Sequence, residues 1–206
     1  MRGNKTISDY LVRVQAMAKT GLTYAKDPYD IERYEALAEQ TNELLAEHSN
    51  LEQEDIDLHF EKLDPYPTPK VDVRGVILSE GKILLIKEKS DQKWAMPGGW
   101  ADVGVSPSEN VVKEVWEEAG LEVKAERLLA VWDKMKHDHP TDLNHVYKLN
   151  FLCRVTGGEL KPGHEVLEAR FFGLNELPEL SLMRNTVQQI KTLHRLAQVN
   201  ESTRFD

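Results

Sequence analysis

Apolar positions in the first part of the chain recur at helical spacing. Ile7, Leu11, Val14, Ala18 and Leu22 stand three or four apart, which is one face of a helix. Gly21 lies inside that run and weakens it locally. Asp27-Pro28 interrupts the pattern, and a second run follows through Ile31, Tyr34, Leu37, Ala38, Thr41, Leu44 and Leu45. The short connection and matched faces predict an antiparallel helical hairpin. Ser49 and Glu52 have the spacing of a capping box, opening a short third helix that runs through Phe60. Pro65, Pro67 and Pro69 then exclude helix and favour an extended linker. The domain boundary falls there, with a helical domain over 1–68 and a second domain over 69–206. Two or three small helices have little core of their own, so the first domain is expected to pack on the second or on another subunit.

After the linker the pattern turns mixed. Val71 to Leu78 and Lys82 to Ile86 are β-rich, and Glu80-Gly81 between them signals a hairpin. Trp94 to Trp100 contains Pro97-Gly98-Gly99, which lets the backbone turn sharply. Ser106 and Glu109 form a capping box, Pro107 occupies the first helical position and Gly120 closes the helix. Leu121 to Trp132, His145 to Val155 and Glu168 to Phe172 are further strands, and Leu182 to Gln198 is a closing helix. Strands with helices at irregular intervals predict an α/β sandwich with a mixed sheet rather than a βαβ repeat.

Composition narrows the class. The 206 residues are 40% hydrophobic and 30% charged, which is globular. No apolar run is long enough to cross a bilayer, and none follows the first basic residues as a secretory signal would require. Cys153 is the single cysteine, so no internal disulfide can form. A cytoplasmic location is the expectation by elimination. The net charge of −9 argues against broad nucleic-acid binding. The charge is uneven: residues 1–68 hold 7 basic and 14 acidic side chains, against 19 and 21 in the remainder. The acidic first segment is a poor place to meet a phosphate.

Candidate chemistry concentrates on the helix from Pro107 to Gly120. Glu114 and Glu118 are one turn apart on one face, Glu117 flanks them, and Val111, Val112, Val115 and Ala119 line the apolar side. Carboxylate oxygens at close range suit a hard divalent cation, although three glutamates alone also describe a solvated acidic face. The context decides. Gly99, Glu114, Val115, Glu117, Glu118, Gly120 and Leu121 match the Nudix box at its spacing, and the chain resembles the Nudix hydrolases over roughly residues 70–198. Two positions depart from that pattern: Val105 stands where the box has Glu, and Lys113 where it has Arg. Val105 is expected to turn into the apolar layer beside Val111 or Val112, and Lys113 to reach Glu109 or Glu117. The run from Lys19 to Glu35, together with Thr68 to Gly75, is similar to bacterial CDP-choline pyrophosphatases, which carry a helical N-terminal extension.

The resemblance implies a Nudix α/β/α sandwich, a homodimer formed by the N-terminal helices, and Mg2+ or Mn2+. It implies Glu114 and Glu118 as main metal ligands, Glu117 assisting as ligand and in catalysis, and the Gly98 carbonyl completing one ion's shell. It implies a small-molecule nucleotide substrate, with CDP-choline favoured, and water attack on a diphosphate that yields two phosphate monoesters. Glu165 is the candidate general base, with Glu168 behind it. Arg74, Lys87 and Lys89 are candidates to hold phosphate oxygens. His137, His139 and His145 fit a polar loop facing substrate better than a zinc site, which would want a thiolate or third ligand at structural spacing. Trp94, Trp100 and Trp132 could stack on a base or fill the core. Competing activities are ADP-ribose or nucleotide-sugar hydrolysis, RNA-end hydrolysis, and ligand sensing by a catalytically weakened domain.

Overall fold

The computed structural model describes residues 6–62 and 66–206. The chain divides into two compact units, one of Met1–Pro69 with Thr141–His145, the other of Lys70–Pro140 with Val146–Asp206. Asp64 and Pro65 of the expected linker lie outside the described residues.

The first unit holds α1 (Ile7–Tyr24), α2 (Pro28–His48) and α3 (Gln53–Glu61). Thr6 and Asp9 cap α1 reciprocally, and Asp27 caps α2 with Pro28 in its first turn. The hairpin is antiparallel: Ser8, at the start of α1, donates its hydroxyl to the carbonyl of His48 at the end of α2. Gly21 does not break α1. Any side chain there would collide with the Tyr34 ring, so the glycine lets α2 lie close. A polar seam joins the helices, with Gln15 donating to Asn42 at 2.7 Å and Asn42 donating to Asp57 at 2.8 Å. The expected capping box at Ser49 is corrected. Glu52 is the N-cap of α3 and makes no side-chain cap bond. The Ser49 hydroxyl instead accepts from Leu51 N–H at 3.3 Å, closing a local turn after α2.

The second unit is an α/β/α sandwich. Its elements are β1 (Lys70–Val76), β2 (Leu78–Ser79), β3 (Lys82–Glu88), β4 (Trp94–Ala95), α4 (Pro107–Ala119), β5 (Leu121–Asp133), β6 (Val146–Gly158), β7 (Val166–Phe172), α5 (Val187–Gln198) and β8 (Arg204–Phe205). One mixed sheet has the order β1-β6-β5-β8, with β1 parallel to β6 and β5 antiparallel to β6. In the other sheet β3 is central and antiparallel to β2, β4 and β7. Glu80 (φ 50°) and Gly81 (φ 75°) turn β2 into β3 as expected, since both central residues of that turn need positive φ. The closing helix starts later than expected, at Val187, because Thr186 and Gln189 cap each other there.

Alternation along the strands builds two cores. Ile83 and Leu85 of β3 join Trp94, Met96, Trp132 and the α5 residues Ile190 and Leu193. Leu84 and Ile86 face the other way, onto Val111, Val115 and Ala119 of α4. Trp94 and Trp132 are therefore core, whereas Trp100 is 48% exposed. Gly75 of β1 lets α4 seat closely: a Cβ there would stand 2.8 Å from Val115 Cγ2.

Candidate active site

The start of α4 is determined locally. The capping box closes between Ser106 and Glu109, and Gly120 ends the helix at φ 69°. With Val111, Val115 and Ala119 buried, the helical repeat turns Glu114 and Glu118 towards the Pro97-Gly98-Gly99 turn. Gly98 N–H donates to Glu118 Oε2 at 2.7 Å. The Glu114 carboxylate lies against Gly99, where a Cβ would come within 3.0 Å of its Oε2. Glu117 takes the outer flank, exposed and 3.8 Å from Lys113 Nζ.

Strand β1 shapes that turn. Val73 N–H donates to the Gly99 carbonyl at 2.9 Å, Gly75 N–H to the Pro97 carbonyl at 2.8 Å, and Arg74 Nη1 to the Met96 carbonyl at 3.0 Å. Among the described residues the Gly98 carbonyl is the one of the four left without a donor. Gly98 has φ 138°, and a Cβ there would overlap the Val73 carbonyl oxygen, so no other residue fits.

The electrostatics are those of crowded carboxylates. Burial pushes Glu118 up to about 8, against the opposing pull of Arg74 and the Gly98 N–H, and Glu88 and Glu114 add to the rise. Burial also raises Glu114 and Glu88. Glu88 escaped the sequence reading, although its register signals it. It continues the buried face of Leu84 and Ile86, where a carboxylate has no structural reason to be. Arg184 Nε holds it at 2.7 Å.

The other predicted residues take varied places. Arg74 is buried, and its guanidinium is committed to Asp72 and the Met96 carbonyl. Lys87 stands 3.4 Å from Glu168, and Lys89 donates to the His164 carbonyl. Glu165 is exposed in the loop before β7. Its carbonyl accepts Lys89 N–H at 3.1 Å, and its charge reaches Glu88. His139 is held by the Leu182 carbonyl at 2.6 Å and pushed down to about 4 by burial, while His137 stands 3.2 Å from Asp206.

One expectation about the motif departures is corrected and the other is met in part. Val105 is 38% exposed and not packed in the apolar layer, because its loop bulges outward from the helix start. Lys113 stands 3.8 Å from Glu117, one of its two expected partners, and makes its shorter contact with a loop residue, Asp102 Oδ2, at 2.7 Å. Asn110, fully buried, stitches that loop to α4 by accepting from Asp102 N–H and donating to the Val105 carbonyl.

A divalent cation suits this donor set. Hard cations take oxygen ligands, and two half-buried carboxylates beside a spare backbone carbonyl supply them. Carboxyls that burial drives towards neutrality are held ionised by such a charge. Among the described residues, no three acidic, imidazole or thiol groups already converge on one metal position.

Comparison with known proteins agrees with fold and site. Residues 68–196 match the NUDIX domain model, and residues 5–60 match the "UDP-X-like, N-terminal oligomerisation domain" model. The chain is 44% identical over 195 residues to the putative ADP-ribose pyrophosphatase YjhB of Bacillus subtilis, covering 94% of each chain. It resembles the crystal structure of a UDP-X diphosphatase at TM-score 0.64, with 38% identity over 96% of each chain. An ADP-ribose pyrophosphatase from Streptococcus suis superposes at TM-score 0.62 with 46% identity, over 68% of this chain and 100% of that one. The fold and site define a hydrolase of the Nudix class. The chain belongs to the NUDIX family and is a Nudix pyrophosphohydrolase. No helix among the described residues is long and apolar enough to cross a membrane.

Proposed function

We propose that this protein hydrolyses nucleoside diphosphates linked to a second moiety, cutting between the two phosphorus atoms to leave two phosphate monoesters. The observation that carries this reading is the placement of Glu114 and Glu118 on the glycine turn beside the unpartnered Gly98 carbonyl. Mg2+ or Mn2+ bound there would neutralise the diphosphate and lower the pKa of an attacking water. Glu114, Glu118 and the Gly98 carbonyl would hold the ion, with Glu117 at the rim. Glu165, exposed and near Glu88, would take the water's proton. Lys87 and Lys89, at the end of β3, would orient phosphate oxygens once drawn from Glu168 and the His164 carbonyl.

The second moiety is read as a sugar. The relatives that span nearly the whole chain are named for ADP-ribose and UDP-X, and the N-terminal segment matches a UDP-X-like model. CDP-choline, favoured by the resemblance of the sequence, takes second place. The N-terminal helices would make a homodimer, since that matched model is an oligomerisation domain.

The test is a panel of ADP-ribose, UDP-glucose and CDP-choline with Mg2+ and then Mn2+, with products resolved by phosphorus NMR. A nucleotide sugar should show the highest kcat/KM, with two monoesters formed. CDP-choline in first place would restore the choline reading. Tight binding of all three without turnover would favour a ligand sensor.

A further inference from the structure

Arg74 exerts the strongest cationic pull on Glu118 and Glu114, and acts on Glu88 after Arg184. Yet its ion pair is with Asp72. Asp72 Oδ2 accepts from Arg74 Nη2 at 2.7 Å, and Oδ1 accepts from Nε at 3.0 Å. Lys148 Nζ reaches the same Oδ1 at 2.6 Å. The register explains the triad, because Asp72 and Lys148 are opposite each other in the parallel β1–β6 pair. Asp72, Arg74 and Lys148 are all at least nine-tenths buried. One carboxylate thus restrains two cations, and the guanidinium is oriented by four hydrogen bonds: three to Asp72, with Nε shared between its two oxygens, and one to the Met96 carbonyl.

A guanidinium freed from Asp72 would find a better partner close by. Glu118 is held by Gly98 N–H at 2.7 Å, and the Arg74 backbone lies directly against Gly98, so a pair formed between the guanidinium and Glu118 would occupy the oxygens a metal needs.

We propose that Asp72 is a positioning residue: it holds Arg74 against β1 and the Met96 carbonyl, and so keeps the Glu118 carboxylate open to a divalent cation. The proposal rests on the reading of the α4 glutamates as the metal site. Lys148 shares the task by fixing Asp72 from the neighbouring strand.

The test measures Mn2+ binding to metal-free protein by electron paramagnetic resonance, with circular dichroism confirming the fold of each variant. D72N should weaken Mn2+ binding by about ten- to a hundredfold, the range expected when a group that orients a ligand is lost. D72N/R74M removes the released guanidinium and should return to within about threefold of wild type. A merely structural role predicts the opposite, with the double variant no better than D72N. R74K is the milder control if D72N does not fold. Its ammonium cannot reproduce the fork onto Asp72 and Met96, and Mn2+ binding should weaken as in D72N. Wild-type affinity in D72N or in R74K, or no recovery in D72N/R74M, overturns the proposal while the metal site stands. Failure of the wild-type protein to bind Mn2+ overturns both.

Discussion

Lys113 Nζ stands 2.7 Å from Asp102 Oδ2, so an ion pair braces the loop against α4 although position 105 carries no acid. Val105, exposed, takes no part in it. V105E should therefore change folding stability by less than about 0.5 kcal/mol and leave turnover within about twofold. Denaturant melts and steady-state rates check this. A gain in turnover of orders of magnitude would mark the natural protein as a weakened enzyme.

Glu118 bears the heaviest predicted load in catalysis. E118Q removes a charge with little change in volume. Its kcat should fall roughly a thousandfold or more, equivalent to about 4 kcal/mol of barrier, with circular dichroism unchanged. Near-wild-type turnover in E118Q would remove α4 from the metal site.

The same residue makes stability depend on pH. Burial raises its folded pKa to about 8, above the ordinary carboxylate value near 4.5. Ionising it therefore disfavours the folded state. In metal-free protein this penalty is absent below about pH 4.5 and grows as pH rises towards 8. E118Q should melt progressively higher than wild type across that window, and the difference should shrink when Mg2+ is added. A gap between the two melting curves that does not change with pH would refute the assignment.

Gly98 should tolerate no substitution. Its φ of 138° is open to glycine, and a Cβ would overlap the Val73 carbonyl. G98A should lose at least about 2 kcal/mol of folding stability and most activity, as read by chemical denaturation and turnover. A stable, active G98A would show that the turn can be rebuilt without its glycine.

The first unit presents an apolar stripe along α1. Tyr10, Met17 and Tyr24 recur every two turns, Ile7 stands one turn before Tyr10, and each is more than half exposed. Charge placed there, as in Met17→Glu or Tyr24→Glu, should raise the dissociation constant of the proposed homodimer by about tenfold or more. Turnover per chain should persist, because α1 carries none of the glutamates. Sedimentation velocity reads the first effect. An unchanged dimer in both variants would place the contact elsewhere.

Sequence alone determined what depends on a few neighbouring residues. The cap of α4, its glycine stop, the Glu80-Gly81 turn and the shared face of Glu114 and Glu118 follow from local backbone preference and helical repeat. Those rules act within a few residues and hold wherever the segment is placed. Tertiary structure decided what each side chain meets across the chain. Arg74 looks like a phosphate ligand in the sequence, but its guanidinium is held by Asp72 and the Met96 carbonyl, and pairing of β1 with β6 brings Lys148 onto the same Asp72. Glu88 looks like one charge among lysines, but the sheet turns it inward to Arg184 and within reach of Glu118. Val105 looks fit for the core, but the loop stitched by Asn110 carries it outward. Strand β8 reaches the edge of β5 from the far end of the chain. Met96 and Lys148 around the Asp72–Arg74 pair, and Arg184 beside Glu88, lie tens of residues from the groups they meet, and no local preference encodes these pairings. They arise when apolar faces are buried together and the polar groups caught between them must find partners.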